Sequence, residues 1–222
     1  MGRKRRGRPV HGWFVLDKPF GMTSAQAVGK IRGIFNAAKA GHAGTLDPMA
    51  TGILPIAMGE ATKVVSAAMD GKKAYRFTIH WGEERDTDDA EGQIVGESQD
   101  RPTPDQIKDT LPLFTGLTEQ VPPTYSAIKV GGTRAYDLAR SGYVPKLKAR
   151  LIMIDKLTLL ACPDTDHAVL EMVCGKGAYV RGVARDLGRY LGCLGHVSQL
   201  RRARVGPFDE SVAFSLAKLE DM

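Results

Sequence analysis

The chain has 222 residues, of which 43% are hydrophobic and 25% charged, proportions that are ordinary for a soluble globular protein. No apolar run approaches the ~20 residues that span a bilayer, and no apolar signal-peptide core follows the N-terminus. Three cysteines without CxxC spacing disfavour a disulfide framework and a cysteine zinc site, and they are typical of a reducing cytoplasm.

Positive charge is concentrated at the N-terminus. The formal net charge is +6, and five cations lie within the first eight residues. The remaining residues carry 26 basic and 25 acidic side chains. We interpret residues 1–10 as a flexible basic tail attracted to phosphate; a solvated tail without a specific role has equal weight. No amphipathic helix accompanies the tail, which disfavours a membrane surface as its partner.

The first third of the chain predicts alternating strands and helices. A short apolar strand covers 13–16, and Thr23 or Ser24 can cap a helix that ends near Phe35. Further elements are a buried apolar strand at 53–58, a helix at 60–69 and a half-buried strand at 75–81.

The rest of the chain continues the mixed pattern. Helices are predicted at 104–114, with proline at the start, and at 179–191; strands are predicted at 151–160, 169–173 and 197–205. Residues 121–143 are polar and rich in proline and glycine, which predicts a protruding insertion. The pattern alone therefore indicates an α+β fold with several strands.

Residues 41–52, GHAGTLDPMATG, contain a single carboxylate, Asp47, in a stretch that begins and ends with glycine. Glycine allows close approach of the backbone, and Pro48 fixes the chain just after the acid. The apolar run that follows predicts a buried strand. We therefore expect a stiff loop with one acid at the edge of a core; a glycine-rich turn capped by Asp47 has about equal weight.

Other polar and aromatic residues allow two interpretations. Arg181 lies beside Tyr179 in the opening turn of a predicted helix, a position that favours a functional site over a surface arginine on an amphipathic helix. The alternation around Tyr75 favours a core aromatic, and a lone histidine such as His42 is usually structural or at the surface. Two cationic groups can contact phosphate or form solvated basic faces: Lys129, Arg134 and Arg140, and Arg201, Arg202 and Arg204.

The sequence predicts no metal and no cofactor. Residues 86–97 faintly resemble a calcium loop, but Ala90 replaces a ligand and Glu91 replaces the turn glycine. Five scattered histidines do not form a metal site, and the glycines near Lys176 lack both the dinucleotide and the phosphate-loop pattern.

Six blocks in one order resemble the motifs of the TruB family of tRNA pseudouridine synthases. They extend from residue 11 to near residue 205, and the run around Asp47 resembles the family's catalytic-aspartate motif. The blocks are LDKPFGMTS at 16–24, GHAGTLDPMATG at 41–52, KAYR at 73–76, YSAIK at 125–129, KGAYVR at 176–181 with DLG at 186–188, and HVSQLRR at 196–202.

The resemblance implies the pseudouridine synthase fold, with a central, largely antiparallel or mixed sheet flanked by helices. Residues 11–222 would be the catalytic domain, with a thumb-like insertion at about 121–143. The C-terminal RNA-binding domain usual in the family is expected to be absent.

The resemblance also implies roles for individual residues. Asp47 would be the catalytic acid, Arg181 would pair with it, and Tyr75 would stack on the flipped uracil. Tyr179 and Leu200 would line the same pocket. His42 would fill the position that the base vacates and contact RNA, and Lys18 would support the cleft. The other expected RNA contacts are Lys129, Arg134, Arg140, Arg201 and Arg202.

The implied reaction is isomerisation of the T-loop uridine at position 55 of tRNA, without metal, cofactor or protein partner, by a monomer. One alternative is the guide-RNA-dependent synthase subunit of H/ACA ribonucleoproteins, which the acidic block at 86–92 and the lack of long basic tail repeats disfavour. The other is a non-catalytic tRNA-binding or RNA-folding protein, which the intact Asp47, Tyr75 and Arg181 disfavour.

Overall fold

A computed structural model describes residues 7–220 of the chain. Most of the predicted basic tail, residues 1–6, lies outside this range. Arg8 donates a backbone hydrogen bond to Asn36 and accepts one from Ala38, so the chain is paired from this residue onwards. The chain divides into two compact units, Met1–Tyr75 with Leu200–Met222 and Arg76–Gln199, which we call the first and the second unit.

The first unit contains two sequence-distant parts that share a sheet. Its strands are β1 (Gly12–Lys18), β2 (Ala40–His42), β3 (Thr51–Met58), the start of β4 (Lys73–Trp81), the end of β12 (Gly195–Val205) and β13 (Phe208–Asp209). Its helices are α1 (Ser24–Ile34), α2 (Val65–Asp70), α6 (Leu216–Glu220) and the 3-10 turns Gly59–Val64 and Glu210–Val212.

Strand β3 lies at the centre of this sheet. It pairs antiparallel with β1 and β2, and parallel with β12 through Arg201 and Arg202. The predicted buried strand is confirmed, because Ile53, Leu54 and Ile56 are each 0% exposed. A strand covered on both faces has the continuous apolar sequence seen here.

Local sequence explains where the helices begin. Thr23 caps α1 by accepting from the backbone N–H of Gln26, whose side chain in turn accepts from the N–H of Thr23, a capping box. The helix predicted at 60–69 is instead a 3-10 turn followed by α2, because the backbone of Val64 leaves the helical region, with φ −110° and ψ 14°.

The second unit holds most of the remaining elements. Its strands are the rest of β4, β5 (Glu83–Arg85), β6 (Ile94–Glu97), β7 (Gly116–Gln120), β8 (Lys129–Val130), β9 (Thr133–Arg134), β10 (Arg150–Ala161), β11 (His167–Cys174) and the start of β12. Its helices are α3 (Pro104–Thr110), α4 (Ala135–Arg140), α5 (Val180–Tyr190) and the 3-10 turn Leu111–Phe114.

The sheet of the second unit has the order β12-β4-β11-β10-β7. Strand β10 pairs antiparallel with both β11 and β7. Alternate side chains of β11 enter the core: Ala168, Leu170, Met172 and Cys174 are each 0% exposed. Antiparallel pairs here and a parallel pair in the first unit confirm the predicted α+β class with a mixed sheet.

The segment predicted as an insertion, 121–143, contains the hairpin β8–β9 and helix α4. Ala135 and Ala139 are its buried helical residues, whereas Tyr136 and Tyr143 are exposed. The helix predicted at 104–114 becomes a 3-10 turn after Thr110, where Pro112 cannot donate a backbone hydrogen bond. Within residues 7–220, no helix is both long and apolar enough to cross a membrane.

Candidate active site

The loop that carries Asp47 connects β2 to β3 in the first unit. Asp47 is half-buried, and its carbonyl oxygen accepts from the N–H of Ala50 at 3.1 Å. Leu46 and Met49 beside it are buried. At Gly52, φ is +101° and an added Cβ would lie 2.3 Å from the carbonyl oxygen of Arg202, so only glycine fits. The loop therefore holds its acid at the edge of a core, as predicted.

Two buried polar side chains attach this loop to the elements before it. The Ser24 hydroxyl accepts from the N–H of Leu46 at 2.8 Å and donates to its carbonyl at 2.9 Å. Lys18 is 0% exposed, and its ammonium donates to the carbonyls of Met22 at 2.7 Å and Pro48 at 3.3 Å. Lys18 thus supports the loop beside Asp47.

A third attachment comes from Arg202 on β12. Its guanidinium donates from Nε to the carbonyl of Ile53 at 2.8 Å, from Nη1 to that of Thr45 at 3.2 Å, and from Nη2 to that of Gly44 at 3.1 Å. These acceptors lie on both sides of Asp47 along the chain. One planar side chain therefore fixes the loop and the strand that follows it.

Arg202 also interacts with two of the predicted catalytic side chains. Burial lowers the pKa of its guanidinium, while the charge and hydrogen bond of Tyr75 and the charge of Asp47 act in the opposite direction. The first unit therefore brings Asp47, Tyr75 and Arg202 together. Tyr75 is half-buried, unlike Phe77 and Ile79 further along β4, so it is not the core aromatic that alternation alone predicts.

The predicted RNA contact by Arg202 needs correction. Its side chain is 1% exposed and its donors are used on backbone carbonyls, so it is not available to phosphate. Arg201 makes a bidentate ion pair with Asp17 at 3.0 Å and a further bond to Glu210 at 2.6 Å, so two carboxylates already neutralise it. Of the three clustered arginines, Arg204 is the exposed one.

His42 and Leu200 are both predicted to bind substrate. His42 is the last residue of β2, and Leu200 is the first residue of β12 that belongs to the first unit. Burial, and then the charge of Arg202, lower the pKa of His42, so its imidazole is neutral at neutral pH. Its buried Nδ1 finds no hydrogen-bond partner within residues 7–220. Leu200 is 8% exposed, and its carbonyl accepts from the Thr51 hydroxyl at 3.4 Å.

Tyr179 is the residue before helix α5 in the second unit, and its backbone is fixed by Gln120. The Gln120 side chain accepts from the Tyr179 N–H at 2.9 Å and donates to its carbonyl at 3.0 Å. The guanidinium of Arg150 lies over the Tyr179 ring, 5.2 Å from its centroid, and donates to the carbonyl of Gly177 at 2.7 Å. Gln120 therefore holds the backbone of Tyr179, and Arg150 contacts its ring.

Arg181 is a buried organising residue of the second unit. It is 4% exposed and donates to the carbonyls of Thr87 and Tyr125, each at 2.9 Å, with Asp89 at 3.5 Å. The alternative of a surface arginine is therefore wrong. Its predicted partner Asp47 belongs to the other unit, and that pairing stays a prediction.

Arg185, one turn further along α5, makes similar buried polar contacts. It contacts Asp88 at 2.9 Å, Asp186 at 2.8 Å and the Val121 carbonyl at 2.7 Å. Burial raises the pKa of Asp88 to about 6, against the lowering effect of Arg185. Two carboxylates of the acidic block, Asp88 and Asp89, thus serve as arginine partners.

The predicted thumb contacts lie on short elements of the second unit. Lys129 and Arg140 are exposed, and the Arg140 guanidinium lies 5.7 Å from the Tyr136 ring centroid. Arg134 pairs with Lys129 through the backbone of the hairpin, and its side chain lies outside the described part of the structure. Exposure leaves Lys129 and Arg140 available to phosphate.

Sequence reasoning missed the organising roles of Gln120 and Ser24 and mistook that of Arg202. Gln120 gives no local signal, because its function depends on a residue 59 positions away. The sequence did contain an indication that Arg202 is buried. It lies two positions after the apolar Leu200 on a predicted strand, so both side chains are on the same face of the sheet.

Comparison with solved structures identifies the fold as that of pseudouridine synthases. A chain of a Cbf5-Nop10-Gar1 complex is 30% identical with a TM-score of 0.75, covering 95% of this chain and 54% of that one. A chain of an H/ACA RNP bound to a substrate RNA containing 2′-deoxyuridine is 26% identical with a TM-score of 0.72, covering 100% of this chain and 59% of that one.

Sequence comparison then gives the family. Residues 32–180 match the TruB family pseudouridylate synthase N-terminal domain, and residues 181–222 match the tRNA pseudouridylate synthase B C-terminal domain. The chain belongs to the TruB family of pseudouridylate synthases, as its motifs predicted.

Curated relatives agree with this assignment. The protein named tRNA pseudouridine synthase B from Rhodopseudomonas palustris is 60% identical over 99% of this chain, and the one from Agrobacterium fabrum is 57% identical over 98%. The chain spans 60% of the length of the first relative and 69% of the second.

Proposed function

We propose that this chain converts a uridine of tRNA into pseudouridine, with Asp47 as the catalytic residue. The observation that carries the proposal is the three-sided attachment of the Asp47 loop by Lys18, Ser24 and Arg202, with Tyr75 in contact with Arg202. A carboxylate on such a fixed loop is suited to a reaction whose rate depends on the alignment of the carboxylate with the substrate.

The proposed reaction is an isomerisation within one nucleotide. The bond between ribose C1′ and uracil N1 breaks, the base rotates, and C1′ joins C5; the C5 proton is lost and N1 gains one, so the formula is unchanged. Positive charge gathers on the sugar in the transition state, as in glycoside cleavage. Asp47 acts at the sugar, either by attack on C1′ or by removal of a ribose proton.

The other proposed site residues orient Asp47 or hold the flipped uracil. Arg181 pairs with Asp47 and orients it, since a guanidinium and a carboxylate form directional, charge-assisted hydrogen bonds. Tyr75 stacks on the flipped uracil, and Tyr179 and Leu200 line its pocket. His42, neutral and with an unpartnered Nδ1, occupies the position that the base leaves and offsets part of the unstacking free energy of a few kcal/mol.

The proposed substrate is the T-arm of tRNA, with position 55 as the target, modified in the cytoplasm by a monomer that uses no catalytic metal, no cofactor and no protein partner. Relatives that are 57–60% identical are named as tRNA enzymes, whereas the chains from H/ACA assemblies are only 26–30% identical. This difference favours tRNA without guide RNA. The exposed Lys129, Arg140 and Arg204 are the proposed phosphate contacts.

Turnover of a tRNA transcript in the absence of guide RNA tests the proposal. We expect Asp47→Asn to lose more than about three decades in single-turnover rate, or about 4 kcal/mol of transition-state stabilisation, with near-native RNA affinity. The matched control is Asp109→Asn, an exposed acid on α3, which should react like the wild type. Activity of Asp47→Asn within tenfold of the wild type would contradict the assignment.

An isolated T-arm hairpin tests the recognition surface. Loop recognition works through shape and splayed bases, so the hairpin should react with a kcat close to that of full tRNA. A hairpin that remains unmodified while tRNA reacts would show that contacts outside the T-arm are required.

A further inference from the structure

Three of the five histidines lie together in the second unit, so the expectation of scattered histidines is wrong. The ring of His80 on β4 stacks on that of His167 on β11, with centroids 4.7 Å apart, and meets the ring of His196 on β12 edge-on at 5.1 Å. The sheet order β12-β4-β11 explains this cluster, because it places three strands distant in sequence side by side.

A carboxylate completes a set of possible metal ligands. The ligand atoms of His80, Glu83 and His196 all lie within 4.8 Å of one another. Bonds of about 2.0–2.2 Å from each ligand to one ion require these atoms to lie within about 4 Å of one another, so the half-buried His80 and Glu83 would rotate slightly on binding. Two imidazoles and one carboxylate form a set typical of zinc and other borderline divalent ions, with water in the open position.

The hydrogen bonding of His196 favours metal binding. Its Nδ1 lies 3.0 Å from the carbonyl oxygen of Glu83. A carbonyl can only accept, so Nδ1 carries the hydrogen and the lone pair is on Nε2. A metal-bound histidine is usually oriented by such a bond from its other nitrogen. The side chain is 2% exposed and therefore fixed by its surroundings.

The charges around the cluster suit a borderline ion. Arg85 donates to Oε2 of Glu83 at 2.7 Å, and a carboxylate that accepts this bond still has lone pairs for an ion. The arginine charge disfavours hard cations that depend on several carboxylates, such as calcium.

We propose that His80, Glu83 and His196 bind one divalent cation of the zinc class, which links β4, β5 and β12 in the second unit. None of these residues belongs to the proposed catalytic set. An ion that binds the folded chain and not the unfolded one raises its stability. The site is therefore structural, and it is independent of the proposed reaction.

Titration of the untagged, metal-stripped chain with Co²⁺ and with Zn²⁺ tests the proposal. We expect one ion per chain, cobalt d–d absorption from nitrogen and oxygen ligands, and a higher midpoint of thermal unfolding with Zn²⁺. His80→Ala and Glu83→Gln should each weaken binding by more than about tenfold. Glu83→Gln keeps the shape of the side chain, so a loss of binding there, with unchanged circular dichroism, is not due to unfolding.

Two histidine variants serve as controls. His167→Phe keeps the ring stacked on His80, and His11→Ala removes a histidine of the first unit; both should bind one ion as the wild type does. The proposal is overturned by undiminished binding to His80→Ala, by an equal loss in His167→Phe, by a thiolate-to-cobalt charge-transfer band, or by the lack of one-to-one binding.

Discussion

Arg202 donates from Nη2 to the carbonyl oxygen of Gly44 at 3.1 Å, across 158 positions of sequence. The bond joins β12 to the loop of the proposed catalytic acid. It explains why a strongly basic side chain is tolerated at 1% exposure, since three carbonyls and the charge of Asp47 surround it. Arg202 is thus a positioning residue for Asp47.

We first predict that Arg202→Lys lowers both turnover and stability. An ammonium cannot reach all three carbonyls, and unsatisfied buried carbonyls cost about 2–4 kcal/mol in the free energy of unfolding. A displaced Asp47 should lower kcat by about 10–100-fold. The salt dependence of RNA binding should not change in Arg202→Gln, which removes the charge, because no phosphate contact is lost. The exposed Arg204→Lys is the control for turnover and stability, and a flatter salt slope in Arg202→Gln would restore the phosphate role.

The second prediction concerns Lys18, whose ammonium is buried among the carbonyls of Pro19, Met22 and Pro48. Lys18→Met keeps the length of the side chain but removes every donor. We expect a loss of about 2–4 kcal/mol in urea unfolding and a lower kcat, with KM nearly constant. Lys39→Met, at an exposed position, should do neither. If Lys18→Met changes only KM, Lys18 contacts RNA rather than supporting the loop.

The third prediction concerns Arg181, which donates to both Thr87 and Tyr125. Lysine keeps the charge but loses the planar fork, so Arg181→Lys cannot satisfy both carbonyls together. We expect a large defect in single-turnover rate. Arg189→Lys on the same helix alters only an exposed ion pair with Glu84 and should be nearly neutral. A wild-type rate for Arg181→Lys would make both the loop contacts and the proposed pairing with Asp47 irrelevant to catalysis.

The fourth prediction follows from Asp88, whose pKa burial raises from 3.8 to about 6. The folded chain holds this proton more tightly than the unfolded chain. The stabilisation from the proton is therefore complete below pH 3.8, declines as the pH rises, and is lost above about pH 6.

Unfolding free energies of the wild type and Asp88→Asn between pH 4 and pH 7.5 measure this effect. Asparagine tolerates the left-handed backbone at this position, where φ is +61°. Relative to the variant, the wild type should lose up to about 3 kcal/mol over this window. A difference that is constant with pH, or one that grows in favour of the wild type, would show that the pairing of Asp88 with Arg185 outweighs its burial.

The sequence by itself determined the local elements and the family. Periodicity located the strand at 53–58, the capped helix after Thr23 and the helix of Arg181, because these depend on neighbours a few positions apart. The glycines around Asp47 predicted a loop with close backbone approach, which Gly52 confirms. Where a backbone break interrupted a helical pattern, as at Val64, periodicity failed.

Only the tertiary structure decided which polar groups meet. Arg202 was predicted to contact phosphate as part of a basic cluster, but a parallel strand pair places its side chain against the carbonyls of the Asp47 loop. His80 and His196 lie 116 positions apart, so no spacing rule could join them. Buried hydrogen bonds depend on atomic positions set by strand order and register, and a linear sequence does not display these.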